Sequence, residues 1–371
     1  MKTSNLAHLF LTVALASTLA ACGGGSSDSS TGAGAVTPPA PAPGPAPTPS
    51  PAPAPATNPD LVLSVVAPTY AVGTVEKGAW SVLMDERAAC GFGLVQQDTR
   101  LDVANAAHAK FLADLSIATK VSWGGHGEDS TKPGFTGVNA LDRAIRQGFP
   151  VTASIDEIVS SDTALHGNAS GDQFPLNEGQ GASSMRRLMG TVYHLSGAMF
   201  PGRFGGVGSA HASTPYDSAT TFEAFEAYRF GALIATTDNN AQRLGSGVVA
   251  TYPCASAKHV SATFLPATES PNPFPDVSSA SVVYGTPVYL KVDASSVLAV
   301  TSATITRVSD SSSVPVRQVT RASDPAAQVG ANEFFMVPTT ALVPGAAYAV
   351  VVTGTVDNVM FTKNFTFTPQ P

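Results

Sequence analysis

The chain has 371 residues, a formal net charge of −7 and a mean hydropathy of +0.12. The acidic balance excludes a nucleic-acid partner, because phosphate binding needs clustered Lys and Arg. With an N-terminal leader set aside, the length fits about two domains.

Met1-Lys2-Thr3 carries one positive charge, and the apolar run from Leu9 to Leu15 follows it. That run is too short to span a bilayer and reads as the hydrophobic region of a signal peptide. Leu19-Ala20-Ala21-Cys22 then matches a lipobox. Residues 1–22 are therefore expected to be a lipoprotein signal, with Cys22 diacylated and anchored in a membrane. Gly23 after the cysteine favours the outer over the inner membrane of the cell envelope. Residues 23–57 are Gly/Ser-rich and then mostly Pro-Ala repeats. Proline favours an extended helix of about 3.1 Å per residue, so the tether reaches on the order of 60 Å.

Residues 58–256 carry helix patterns first. Helices are predicted over Gly78–Ala89, Asp98–Ser116, from Asn139 to Gly148, and from a Ser183 or Ser184 cap through Met199. Short strands are predicted around Gly206–Gly208, Tyr228–Thr236 and Val248–Tyr252. Helices followed by strands indicate an α+β domain. Cys90 and Cys254 are an even pair in an oxidising compartment, so they are expected to form a disulfide, with two buried thiols as the alternative. Residues 257–371 begin with a proline-punctuated connector. Seven short strand patterns follow, among them Val288–Val292, Phe334–Val337 and Tyr348–Thr353, and they predict a β-sandwich. Leu342-Val343-Pro344-Gly345-Ala346-Ala347-Tyr348 resembles a run found in bacterial immunoglobulin-like domains.

Several pieces between Leu83 and Ser209 resemble, in order, the CAP superfamily of cysteine-rich secretory, antigen-five and pathogenesis-related proteins. They are Asp85-Glu86-Arg87-Ala88 with Gly91, the Leu101–Ala109 helix, Gly125-His126, Asp142-Arg143-Ala144 with Gly148-Phe149, Glu157-Ile158, and Val192-Tyr193-His194 before Gly206-Val207-Gly208. The resemblance implies a CAP-type α-β-α sandwich with a central cleft, followed here by an all-β immunoglobulin-like sandwich. By position it places His126, Glu157 and His194 in that cleft, with Glu178 or Glu128 as the fourth member. Asp156 stands where the family has glycine, and Leu195 where bacterial members have arginine.

Periodicity bears on the histidines separately. His194 lies off the apolar stripe of Leu188 and Val192 at about 100° per residue, which points it to solvent or a cleft. His108 lies on the apolar face of its helix and reads as a satisfied core histidine. His126 sits in a Gly-rich loop, a common setting for functional side chains. Glu157, beside Ile155 and Ile158, is expected to be partly buried and so to need a partner. His126, His194 and Glu157 suit zinc or another divalent cation. The same three suit general acid–base catalysis. Ser183 and Ser184 are candidate nucleophiles only by proximity in sequence.

Three functions follow as expectations. One is an anchored binding module for a small ligand, lipid, ion or cell-wall component. The others are a hydrolase of peptide or envelope polymer and an adhesion or scaffold protein.

Overall fold

The computed structural model describes residues 60–166, 174–214 and 224–370. The expected signal segment, Cys22 and the tether lie outside them. The described chain is a mixed α+β fold.

Of the five α-helices among the described residues, four start at a side-chain cap. Helix α1 (Val75–Cys90) starts at Thr74, whose hydroxyl accepts the Lys77 N–H, and stops at Gly91 in the left-handed conformation, φ 76°. Helix α2 (Thr99–Thr119) is capped by Asp98, and α3 (Ala140–Arg146) by Asn139. The helix expected from Ser183 or Ser184 to Met199 is two helices. Asn177 caps α4 (Glu178–Met189), the chain turns at Gly190, and α5 (Tyr193–Ala198) follows. Ser183 and Ser184 therefore lie inside α4 and cap nothing. Gly78 of α1 and Gly181 of α4 let these helices cross backbone to backbone. A Cβ at Gly181 would sit 1.8 Å from the Val75 carbonyl oxygen, so alanine there would force the helices apart.

The first sheet contains β1 (Gln96–Gln97), β2 (Ser154–His166), β3 (Phe204–Ser213) and β4 (Ala224–Thr236), in the order β1-β3-β4-β2. Only β1 and β3 run parallel. Strand β4 is buried along its whole length and alternates between two cores. Tyr228, Phe230, Ala232 and Ile234 join Trp80, Leu83, Met185 and Leu195 from α1, α4 and α5. On the other face, Leu233 and Ala235 pack with Leu101 and Ala104 of α2 and Ala144 of α3, and Phe225 and Ala227 pack with Ala113. Helices thus cover both faces, while β2 remains an edge strand.

The C-terminal part holds two antiparallel sheets. One has the order β5-β6-β10-β9, built from β5 (Ala250–Tyr252), β6 (Val288–Lys291), β10 (Glu333–Pro338) and β9 (Val316–Val319). The other, β12-β11-β7-β8, contains β12 (Val359–Phe367), β11 (Tyr348–Val356), β7 (Leu298–Arg307) and β8 (Ser313–Val314). Pro315 separates β8 from β9. The strand expected over Val248–Tyr252 forms as β5, and it pairs with β6 rather than with the first sheet.

Strand β6 and its neighbour β10 are buried on both faces. Tyr289 stacks on Phe92, with ring centroids 6.1 Å apart, and Lys291 donates to the Met199 carbonyl. Leu290 and Met336 share a core with Ile305, Val350 and Val352 of the outer sheet. Cys90 and Cys254 form a disulfide, Cα atoms 5.5 Å apart, that closes a separation of 164 residues. The helical part and the two β-sheets form one compact unit.

Candidate functional site

The loop before His126 is held by three buried cationic or imidazole side chains, each bonded to a carbonyl. Arg229 Nε donates to the Trp123 carbonyl (2.7 Å), His108 Nε2 to that of Gly125 (3.0 Å), and an Arg143 Nη to that of His126 (3.1 Å). Gly125 adopts φ +98°, which permits the turn between them. Burial lowers the Arg229 pKa to about 10. This charge still makes four further bonds, among them to Ser116 and to the Asp162 carbonyl.

His126 leaves this loop with its side chain 46% exposed. Its Nδ1 lies 3.1 Å from Glu157 Oε2. The other oxygen of Glu157 accepts from Arg143 at 2.5 Å, in a pair that is almost wholly buried. Burial acts to raise the Glu157 pKa, but the His126 hydrogen bond and the Arg143 charge outweigh it and hold the carboxyl below its ordinary range. Ionised Glu157 can only accept, so Nδ1 of His126 carries the proton in this bond. Arg143 is a residue that sequence reasoning quoted within a motif and gave no role.

His194 is the second residue of α5, its side chain 12% exposed. The Thr191 hydroxyl donates to the Leu188 carbonyl at 2.9 Å, so its oxygen accepts from His194 Nδ1 at 3.0 Å. Glu269 Oε1 stands 3.3 Å from the same nitrogen. Buried Glu269 also accepts the backbone N–H groups of Val192, Tyr193 and His194 at 3.0, 2.7 and 3.3 Å. It thereby supplies the cap that α5 lacks locally. Glu269 is the acidic residue that stands beside His194 and lines the larger hollow. The structure puts neither Glu178 nor Glu128 in the cleft. Glu178 accepts the Gly73 N–H at the start of α4. Glu128 is buried against His108, Thr136 and Gly137.

The two imidazole rings face each other with centroids 6.3 Å apart. Both have Nδ1 engaged, and neither Nε2 makes a hydrogen bond among the described residues. They sit where two hollows of about 600 and 350 Å³ meet. The larger is lined by Val159–Asp162 of β2, Arg187, Thr191, Thr268 and Ser270. The smaller is lined by Ile155–Glu157, Asn139, Tyr193 and Gln328. The walls are rich in hydroxyl groups. Ser183 and Ser184 line neither hollow, and Ser184 is buried against the Tyr228 hydroxyl.

Among the described residues no group of three or more His, Cys, Asp or Glu side chains is arranged to hold a metal ion. Of the three residues expected to suit a cation, Glu157 is bonded through one oxygen to His126 and through the other to Arg143, and the two imidazoles keep Nε2 unbonded among the described residues. Outside the cleft, His211 pairs with Glu226 at 2.8 Å and His259 faces Asp85 at 3.4 Å.

Scans of family models, curated proteins and solved structures find no match to this chain.

Proposed function

We propose that the chain is an envelope-anchored, CAP-like binding protein whose cleft holds a polar ligand against His126 and His194. One observation carries this reading. Two imidazoles, each with Nδ1 beside a carboxylate oxygen, line one cleft, and neither Nε2 makes a hydrogen bond among the described residues. An imidazole protonated at Nδ1 presents a lone pair at Nε2. The cleft therefore seeks ligand donors, hydroxyl or amide N–H, and its serine and threonine walls suit the same groups.

The CAP reading draws support from helices on both faces of the first sheet and from the shared cleft of His126, Glu157 and His194. The immunoglobulin-like reading of the C-terminal part draws support from its two antiparallel sheets. It also draws on Tyr348, whose hydroxyl accepts the Val343 N–H at 2.9 Å within the Leu342–Tyr348 run. The lipobox at Cys22 supports anchoring.

The same paired Nε2 atoms favour hydrolysis as a second reading. One histidine would take a proton from water or a hydroxyl while the other, once protonated, gives one to the leaving group. Both readings are tested by titrating chito-oligosaccharides and short peptides into isotope-labelled protein. Binding in the cleft shifts the His126 and His194 ring resonances, and His126→Ala abolishes it. Turnover lost in both His126→Ala and His194→Ala selects hydrolysis. Ligands that shift only resonances elsewhere overturn both readings.

A further inference from the structure

We infer that the ligand of this cleft is an extended peptide, bound by adding a strand to the free edge of β2. The inference rests on the cleft reading above and names its ligand class.

Strand β2 pairs with β4 alone, through thirteen residues from Ser154 to His166. Every second residue of such an edge strand turns its N–H and C=O away from the sheet. Among the described residues, none of these groups makes a backbone–backbone bond on that side. The Asp162 carbonyl, which Arg229 meets, lies on the inner side, since the same Arg229 nitrogen also bonds the carbonyl of Tyr228, its cross-strand partner.

The two hollows lie in succession along this edge. One is lined by Ile155, Asp156 and Glu157, and the other by Val159, Ser160, Ser161 and Asp162. Together they follow eight residues of strand, about 24 Å at about 3.4 Å per residue. The opposite wall comes from the end of α4, from α5 and from the connector, through Arg187, Thr191, His194 and Ser270. The cleft is thus long, narrow and open along a row of unpaired backbone groups, with the histidine pair at its middle. A peptide backbone offers the matching row of donors and acceptors. A glycan offers hydroxyls for the walls but no repeat that matches a strand edge.

Asp156 adds a preference at one end. It lines the smaller hollow and makes no ion pair among the described residues. The one nearby lysine, Lys291, is already paired with Glu333 at 3.3 Å. A peptide with a lysine or arginine at that end would place a cation against it.

The test uses the whole chain and a pool of random acetylated octapeptides. A second pool, N-methylated at alternate residues, and chito-oligosaccharides serve as comparisons. Peptides retained after capture are sequenced by mass spectrometry. Amide exchange is then followed on β2. The expected result is at least tenfold enrichment from the unmethylated pool only, with amide exchange between Asp156 and Asp162 slowed at least tenfold in the complex. Asp156→Asn should remove any enrichment of Lys and Arg at one end. Equal capture of both pools, or binding without protection of β2, overturns strand addition. Binding of chito-oligosaccharides but no peptide also overturns it, and leaves the polar-cleft reading standing. Binding of neither overturns both.

Discussion

Glu269 reaches His194 from 75 residues away in sequence, holding its Nδ1 at 3.3 Å and capping the helix on which it sits. Orientation of the ring and formation of α5 are therefore one event. Glu269→Ala leaves three backbone donors without acceptors, and loss of a cap costs about 1–2 kcal/mol, with unsatisfied buried groups adding about 1–3 kcal/mol. We expect a loss of about 2–4 kcal/mol by urea unfolding. Glu269→Gln keeps an acceptor oxygen and should lose about half as much. Equal losses in the two variants would show that the carboxylate charge, rather than the cap, holds α5.

Glu157 and Arg143 form a buried pair whose separation leaves an uncompensated charge. Removing one partner of such a pair costs about 3–5 kcal/mol. Glu157→Gln should lose that much at pH 7, as should Arg143→Met. The pH dependence has a definite sign. Burial pushes the Glu157 pKa up, but His126 and Arg143 pull it further down, so its folded value lies below its unfolded one. Its stabilisation is complete above the unfolded value of about 4.3 and is lost as pH falls through the lower folded value. The stability gap between wild type and Glu157→Gln should therefore shrink as pH drops below about 4. Glu86, whose carboxyl is raised by burial, is common to both proteins and drops out of the difference. A gap that widens in acid would contradict this electrostatic account.

Much of the fold was legible where local chemistry decided it. Thr74, Asp98 and Asn139 cap helices that apolar spacing also marks, and the apolar run of β10 and the alternation of β11 mark strands. Strand β2 was missed because Ser154–His166 mixes Ser, Asp and Thr with only scattered apolar residues, as an edge lining a polar cleft would. The break at Gly190 was missed because Met185, Leu188, Val192 and Leu195 are buried on both sides of it. At the site, His126, Glu157 and His194 were found through a resemblance in their order along the chain. Glu269 carries no local signal at all. Its cue is long-range, a six-residue helix with no cap of its own.

The two cleft histidines should separate binding from stability. His126 is nearly half exposed, and Arg143 still pairs with Glu157 without it. His126→Ala should shift stability by less than about 1 kcal/mol, in the range of exposed ion pairs, while abolishing ligand binding. His194 is more enclosed and shares the Glu269 cap, so His194→Ala should cost about 1–2 kcal/mol, as lost hydrogen bonds do. Thermal unfolding and ligand titration on the same samples check both. Full binding by folded His126→Ala would remove that ring from the site.

The halves on either side of the connector should unfold together. Strand β5 precedes Cys254 yet lies in the sheet of β6, and Tyr193 bonds Asp324 at 2.5 Å. Ser196 bonds Glu333 at 2.8 Å, and the Glu86 carboxylate accepts the N–H groups of Lys258 and His259, both at 2.7 Å. Each of these would be left unsatisfied if one half unfolded first, and the apolar contact of Phe92 with Tyr289 would be exposed. Calorimetry should show one transition whose calorimetric and van't Hoff enthalpies agree. A Cys90→Ala/Cys254→Ala variant should keep the single transition but lose about 3–5 kcal/mol, since a bridge over so long a loop restricts the unfolded chain strongly. Two resolved transitions in the wild type would mean that the interface contributes too little to couple the halves. Two in the variant alone would assign the coupling to the disulfide.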